Sequence, residues 1–167
     1  MAAPQTGPTL DADDRADLDA ILDRLAPLEG PLLPILHDVQ SRYGHVPEDA
    51  LRIIAERLNL SRADVHGVAS FYHDFRRQPA GRHVVKVCRA EACQSVGSDA
   101  LSERAARKLG IAFGETTPDG AVTLEAVYCL GLCAAGPAAM IDGHVVGRLT
   151  GETLDAIIER CSRERLA

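Results

Sequence analysis

The sequence predicts an α+β fold, in which an N-terminal helical bundle is followed by a mixed β-sheet domain with a helix on each face. Apolar residues in the first half recur at the spacing of amphipathic helices. After QPAGR (78–82) the pattern changes to short β-branched runs of strand length. The 167 residues, 46% of them hydrophobic and 25% charged, have an ordinary globular composition and suffice for two small domains.

Four helices are predicted in the first half. The three clearest apolar stripes span residues 18–25, 32–43 and 51–58. A fourth helix is expected to begin at Ser61, where SRAD carries the side chains of a capping box. Short connections join the last three helices, so residues 11–78 are predicted to form a helical bundle domain after a disordered N-terminus at residues 1–10.

Residues 79–167 are predicted to form the sheet domain. Two runs of strand length are HVVKV (83–87) and TLEAVY (123–128). A helix that ends at Gly110 lies between them, and Asp142-Gly143 indicates a hairpin between two further short strands before a last helix. This order of strand, helix, strand, hairpin and helix suits a thioredoxin-like domain with a helix on each face of a mixed sheet.

Charge and hydropathy exclude several classes of partner. The net charge of -6 gives no general attraction for nucleic acid, and no apolar run approaches the roughly 18 residues that a membrane span needs. The first ten residues lack the basic and apolar regions of a signal peptide. We therefore expect a cytoplasmic protein without direct membrane insertion. In a reducing compartment, its five cysteines are better explained as metal ligands or redox groups than as disulfides.

Four of the cysteines occupy equivalent places after two strands. Cys88 and Cys129 each end a predicted strand, and Cys93 and Cys133 lie in the loops that follow. If the two strands are parallel neighbours, the loops lie side by side and the four thiolates converge. Cys161 instead falls on the apolar stripe of the last helix, which favours a buried, inert thiol.

Four converging thiolates bind either zinc or an iron-sulfur cluster. Structural zinc sites most often place two residues between paired cysteines, whereas the gaps here are four and three residues. The wider loops favour a 2Fe-2S cluster, in which each of two irons takes two thiolates. A zinc-stabilised interaction module stays open as the alternative. A thiol-disulfide oxidoreductase is disfavoured because the chain has no Cys-X-X-Cys pair.

Three stretches resemble one known family. They are GHVPEDALRIIAERLNLSRADVHGVASFYHDF, KVCRAEACQSVGSDAL and EAVYCLGLCAAGPAAMIDG. They are similar to the thioredoxin-like 2Fe-2S ferredoxin subunit of respiratory NADH dehydrogenase, NAD-reducing hydrogenase and NAD-dependent formate dehydrogenase. Within that family, RAEACQSVG is most similar to the gamma subunit of the molybdenum-containing, NAD-dependent formate dehydrogenase.

The resemblance implies a one-electron carrier with one 2Fe-2S cluster, held by Cys88, Cys93, Cys129 and Cys133. It implies an FMN- and NAD-binding diaphorase subunit as partner, and a molybdenum-containing catalytic subunit in the same complex. The equivalent subunit of NADH dehydrogenase or NAD-reducing hydrogenase is the alternative. No catalytic residue is assigned, so we expect a non-catalytic subunit of an oxidoreductase. Pro137 is expected at the position where thioredoxin-like domains often carry a cis proline.

Overall fold

The computed structural model describes residues 10–163 and divides into two compact units. The first unit ends at Pro79 and the second begins at Ala80. The predicted disordered N-terminus, residues 1–10, lies outside the described residues except for Leu10. The division into a helical bundle domain at residues 11–78 and a thioredoxin-like 2Fe-2S cluster domain at residues 79–167 stays a prediction.

Within the described residues, the first unit has the four predicted helices, three expected from apolar stripes and the fourth from the capping box at Ser61. They are α1 (Ala12–Leu25), α2 (Leu32–Tyr43), α3 (Glu48–Leu58) and α4 (Arg62–Phe71). Asp11 caps α1 by accepting a hydrogen bond of 2.8 Å from the backbone N–H of Asp14, and Ser61 caps α4 in the same way. Leu22, Leu36 and Ile54 from three of these helices are fully buried in one core. Burial of these stripes is the main stabilising contribution in this unit.

The second unit is built around a five-stranded mixed sheet. Its strands are β1 (His83–Cys88), β2 (Glu115–Thr116), β3 (Val122–Val127), β4 (Ala139–Ile141) and β5 (His144–Val146). Its helices are α5 (Glu91–Gln94), α6 (Ser98–Leu109) and α7 (Gly151–Arg163), and a 3-10 turn spans Cys133–Ala135. The strand order is β2-β3-β1-β4-β5, with β1 and β3 parallel and the other pairs antiparallel. The predicted strands and hairpin are confirmed, whereas α5 and β2 were not predicted.

The helices α6 and α7 pack together over the sheet. Leu101 of α6 and Leu154 of α7 share one core with Val85 and Leu124, which lie on the same face of β1 and β3. The carboxylate of Asp155 also binds Arg104 of α6 at 2.7 Å. The mixed-sheet, thioredoxin-like architecture is confirmed. Both helices bury their apolar stripes against these strand residues.

None of the helices within residues 10–163 combines the length and the apolar character that crossing a membrane requires.

Candidate metal centre

The sheet brings the four predicted ligands to one edge. Cys88 is the last residue of β1 and pairs with Val127, two residues before Cys129, so both cysteines leave parallel strands at the same end. Cys93 lies on α5, and Cys133 begins the 3-10 turn. The expectation that the two strands are parallel neighbours is confirmed.

Cys88 and Cys93 form what we call the inner pair. Both are buried, with 1% and 2% of their surface exposed, and they pack with the buried Ala138. The side chains of Cys88 and Cys93 lie close enough that each shifts the pKa of the other. The inner pair is therefore closed off from solvent.

Cys129 and Cys133 form the outer pair, and both are exposed. Their Sγ atoms lie 3.7 Å apart. A disulfide requires a separation of about 2.05 Å, whereas two sulfurs about 2.3 Å from one tetrahedral ion lie about 3.8 Å apart. The outer pair thus has the spacing of two ligands on one ion.

Backbone amides surround the sulfur of Cys88. Burial acts to raise the pKa of this thiol. Hydrogen bonds from the backbone N–H of Ala90, from the Cys93 thiol and from the backbone N–H groups of Cys129 and Leu130 outweigh burial, so the pKa lies below its ordinary value. The donors from Cys129 and Leu130 belong to the loop of the outer pair, so they link the two pairs directly.

Cys93 and Cys133, the second cysteine of each pair, have thiol pKa values above the ordinary value. Burial, followed by the hydrogen bond to Cys88, raises the pKa of Cys93. The hydrogen bond to Cys129 and the charge on Cys129 raise the pKa of Cys133, and the charge on Cys88 contributes as well. The two pairs are therefore close enough to interact electrostatically. Because a cysteine binds a metal as the thiolate, metal binding at this site would release protons.

The backbone of the outer loop has an unusual conformation. Cys129 has a φ of +105°, a sparsely populated region for a residue with a side chain. Such a residue costs of order 1–3 kcal/mol and persists only where its surroundings hold it. Gly131 follows with a φ of +76°, and its N–H donates to the Sγ of Cys129 at 3.4 Å. The chain thereby turns an amide donor toward the sulfur of Cys129.

Gly136 and Pro137 close the site on the other side. A Cβ on Gly136 would lie 3.5 Å from the Sγ of Cys93 and 3.1 Å from a methyl group of Val96. The absence of this side chain lets the backbone approach the inner pair. The Gly136-Pro137 peptide bond is cis, which confirms the expectation for Pro137.

The donor set fits a two-iron cluster. Within residues 10–163, no group of three or more His, Cys, Asp or Glu side chains could hold a single metal ion. The cysteines are instead arranged as two pairs, and each pair can supply the two thiolates that one iron of a 2Fe-2S cluster takes. The amide donors around the sulfurs suit a ligand set that carries negative charge.

The surface beside the outer pair is apolar. Tyr128 is 73% exposed and Val96 is 52% exposed. Sequence reasoning did not single out either residue, because an isolated apolar residue in a loop carries no periodic signal. Nor did it identify the amide donors of Ala90 and Leu130, since a backbone N–H has no side-chain signature. Cys161 lies buried in the core of α6, α7 and the sheet, which confirms its expected burial.

Comparison with known proteins gives consistent matches. The family model for thioredoxin-like 2Fe-2S ferredoxin matches residues 18–162. A subunit of the NADH-quinone oxidoreductase of Escherichia coli (strain K12) is 38% identical over 148 residues, which covers 87% of this chain and 89% of that protein. An NADH-quinone oxidoreductase subunit of Rhizobium meliloti (strain 1021) is 36% identical over 145 residues, which covers 87% of this chain and 86% of that protein.

A solved structure is also similar. A crystal structure of an NAD+-reducing NiFe-hydrogenase in the air-oxidized state matches with a TM-score of 0.68 and 28% sequence identity. The match covers 78% of this chain but only 22% of the hydrogenase chain.

Proposed function

The chain belongs to the thioredoxin-like 2Fe-2S ferredoxin family, and on this basis we propose that it is a one-electron carrier subunit of an NAD-linked oxidoreductase complex. As a member of that family it carries one 2Fe-2S cluster. We propose Cys88, Cys93, Cys129 and Cys133 as the ligands. The convergence of these cysteines at one sheet edge, as two pairs, is the observation that carries the proposal.

The complex we propose first is of the NADH dehydrogenase or NAD-reducing hydrogenase type. Two relatives that match over more than four fifths of their length are subunits of NADH-quinone oxidoreductase. The structural match is an NAD+-reducing hydrogenase. This proposal makes a flavin- and NAD-binding subunit the immediate partner of the chain, in the cytoplasm.

A formate dehydrogenase is the second candidate. It is favoured by RAEACQSVG (89–97), which resembles the gamma subunit of the molybdenum-containing enzyme. The partners would then include a molybdenum-containing catalytic subunit. Identification of the chains that co-purify with the tagged full-length protein separates the two candidates. A molybdenum-binding catalytic chain supports the formate dehydrogenase, whereas a nickel-iron chain or membrane-arm chains support the first candidate.

We propose that the flavin-binding partner docks at the outer pair. The bound cluster would supply one-electron oxidation and reduction at this edge. Electron transfer weakens steeply with distance, so the partner must approach the exposed Cys129 and Cys133 rather than the closed inner pair. Tyr128 and Val96 offer apolar contact surface there, and an exposed tyrosine is a common interface hot spot.

The residues of the chain have distinct tasks in this function. The backbone N–H groups of Ala90 and Leu130 donate to a ligand sulfur and stabilise its negative charge. Ala138 and the Gly136 backbone exclude water from the inner pair. The chain thus holds the buried side fixed and leaves the other side open for electron exchange.

The test follows electrons in the intact complex. NADH is added anaerobically to the purified complex, and the chain's 2Fe-2S signal is recorded by electron paramagnetic resonance. We expect NADH to reduce the cluster when the flavin-binding chain is present, and only a strong chemical reductant to do so when it is absent. A cluster that dithionite reduces but that NADH never reduces in the complex would contradict the proposal.

A further inference from the structure

We infer that Ser98 is a positioning residue for the inner pair, an inference that rests on the ligand assignment proposed above. Ser98 is the first residue of α6 and is completely buried. Its hydroxyl donates a hydrogen bond to the backbone carbonyl of Cys88. Ser98 is itself no ligand, so the inference concerns the geometry that it imposes on one.

The bond from Ser98 completes the fixation of Cys88. The peptide group between Cys88 and Arg89 is held at both ends, because its carbonyl accepts from Ser98 and its N–H donates to the carbonyl of Val127 at 2.8 Å. The N–H of Cys88 donates to the carbonyl of Ala138 at 2.9 Å. These three hydrogen bonds fix both peptide planes beside Cys88 and therefore the direction of its Cβ. Ser98 supplies the only side chain among them.

A second side chain supports the same connection. The carbonyl of Arg89 accepts a hydrogen bond of 2.9 Å from the side-chain amide of Gln94. The carbonyls of Cys88 and Arg89, at the end of β1, are thus each bound by a side chain from the residues that follow Cys93. Gln94 is exposed, so water can replace its bond, whereas the buried bond of Ser98 has no such substitute.

Loss of the Ser98 hydroxyl would free the Cys88 peptide group to rotate. A buried carbonyl without its donor is unfavourable, and the chain would relax toward another partner. The sulfur of Cys88 would then move relative to that of Cys93. Removal of groups that orient metal ligands typically weakens metal binding by about tenfold to a hundredfold.

The chain offers a matched control in Ser102. It lies one turn further along α6, is 3% exposed, and its hydroxyl has no hydrogen-bond partner within residues 10–163. Ser98→Ala and Ser102→Ala each remove one buried hydroxyl from the same helix. Only Ser98→Ala removes a hydrogen bond to a proposed ligand residue. Comparison of the two variants therefore separates an effect on ligand position from an effect on helix packing.

The experiment measures the rate at which the anaerobic full-length protein loses its cluster to an iron chelator. Electron paramagnetic resonance spectra of the reduced proteins are recorded in parallel. We expect Ser98→Ala to lose the cluster about tenfold faster and to show shifted g values. Ser102→Ala should stay within about twofold of the wild type with an unchanged spectrum, and Ser98→Thr, which keeps the hydroxyl, should restore the wild-type spectrum.

Each outcome decides the inference. A Ser98→Ala protein with wild-type loss rate and spectrum overturns it, as do equal effects of the two alanine variants. If Ser98→Ala does not fold, Ser98→Cys, which keeps the size of the side chain but is a weaker hydrogen-bond donor, should show a smaller acceleration and spectral shift, and their absence overturns the inference. A wild-type protein without iron defeats the ligand assignment and this inference together, whereas a normal wild-type cluster with an unchanged Ser98→Ala protein defeats the inference alone.

Discussion

The inner and outer cysteine pairs are held by different means. Cys88 and Cys93 lie on a strand end and a short helix, are almost completely buried, and are surrounded by backbone donors. Cys129 and Cys133 lie in an exposed turn whose shape depends on the positive φ values of Cys129 and Gly131. The sheet and α6 therefore fix the inner pair, whereas local backbone conformation fixes the outer pair.

This difference suggests that the two pairs have different roles in one site. A buried pair with several hydrogen-bond donors retains its ligand geometry, because no competing water reaches it. An exposed pair in a turn can approach a redox partner and adapt to it. Variants of the two pairs should consequently fail in different ways.

Ligand replacement should give the largest effect. Cys88→Ser should reduce cluster content to below about a tenth of the wild type, because the buried site cannot recruit another ligand. Cys133→Ser should retain a larger fraction with an altered visible spectrum, since the exposed turn can rearrange around an oxygen ligand. Iron and sulfide analysis checks both. Equal losses in the two variants would remove the proposed distinction between the pairs.

Docking at the outer pair should depend on Tyr128. Tyr128→Ala should reduce the rate of cluster reduction by NADH in the complex about tenfold, as expected for an interface residue whose truncation costs more than about 1 kcal/mol. Cluster content and the dithionite-reduced spectrum should not change. Val145→Ala, which truncates a 50% exposed residue on β5, is the matched control and should have no effect on the rate. Equal rates for both variants would place the docking surface elsewhere.

The conformation of the outer turn should respond to Gly131→Ala. A side chain at a φ of +76° is strained by about 1 kcal/mol, although nothing lies within 4 Å of the added Cβ. We expect cluster loss to a chelator to become a few times faster. Gly143→Ala introduces similar strain at a φ of +85° in the β4-β5 hairpin, with equally open space. Gly143→Ala should lower the stability of the protein without changing the rate of cluster loss. If Gly143→Ala accelerated cluster loss as much as Gly131→Ala, the effect would come from general destabilisation and not from the outer turn.

The smallest effect is expected away from both pairs, at the contact between α6 and α7. The hydrogen bond and charge of Arg104, aided by Lys108, hold the pKa of Asp155 below its ordinary value. A lowered pKa in the folded state stabilises the protein above the unfolded value of about 3.9 and ceases to do so as the pH falls through the folded value. At pH 7, Asp155→Asn should have a slightly lower Tm than the wild type. This difference in Tm should disappear in acid, where the wild-type carboxylate is protonated. A pH-independent difference in Tm would contradict this.

The strongly periodic elements were predictable from the sequence. Apolar stripes located three helices of the first unit, and the capping box at Ser61 located the fourth. The positions of Cys88 and Cys129 after two strands anticipated their convergence. The short elements were not predictable, because α5 has four residues and β2 has two, too few for a period to emerge.

The sequence pattern does not show which helix packs on which face of the sheet. β1 carries apolar residues on both faces, with Val84 on one face and Val85 on the other, so its pattern allows a helix on either side. The positive φ of Cys129 was hidden for another reason. It results from the surrounding hydrogen bonds and not from a residue type that prefers that conformation.

Metal and sulfide analysis of the anaerobically purified protein tests the central claim most directly. Wild-type protein and Cys161→Ala, which alters the buried cysteine outside the site, are compared for iron, sulfide and zinc. We expect about two irons and two sulfides per chain in both, as a 2Fe-2S cluster requires. One zinc per chain, without iron and without recovery on cluster reconstitution, would contradict it.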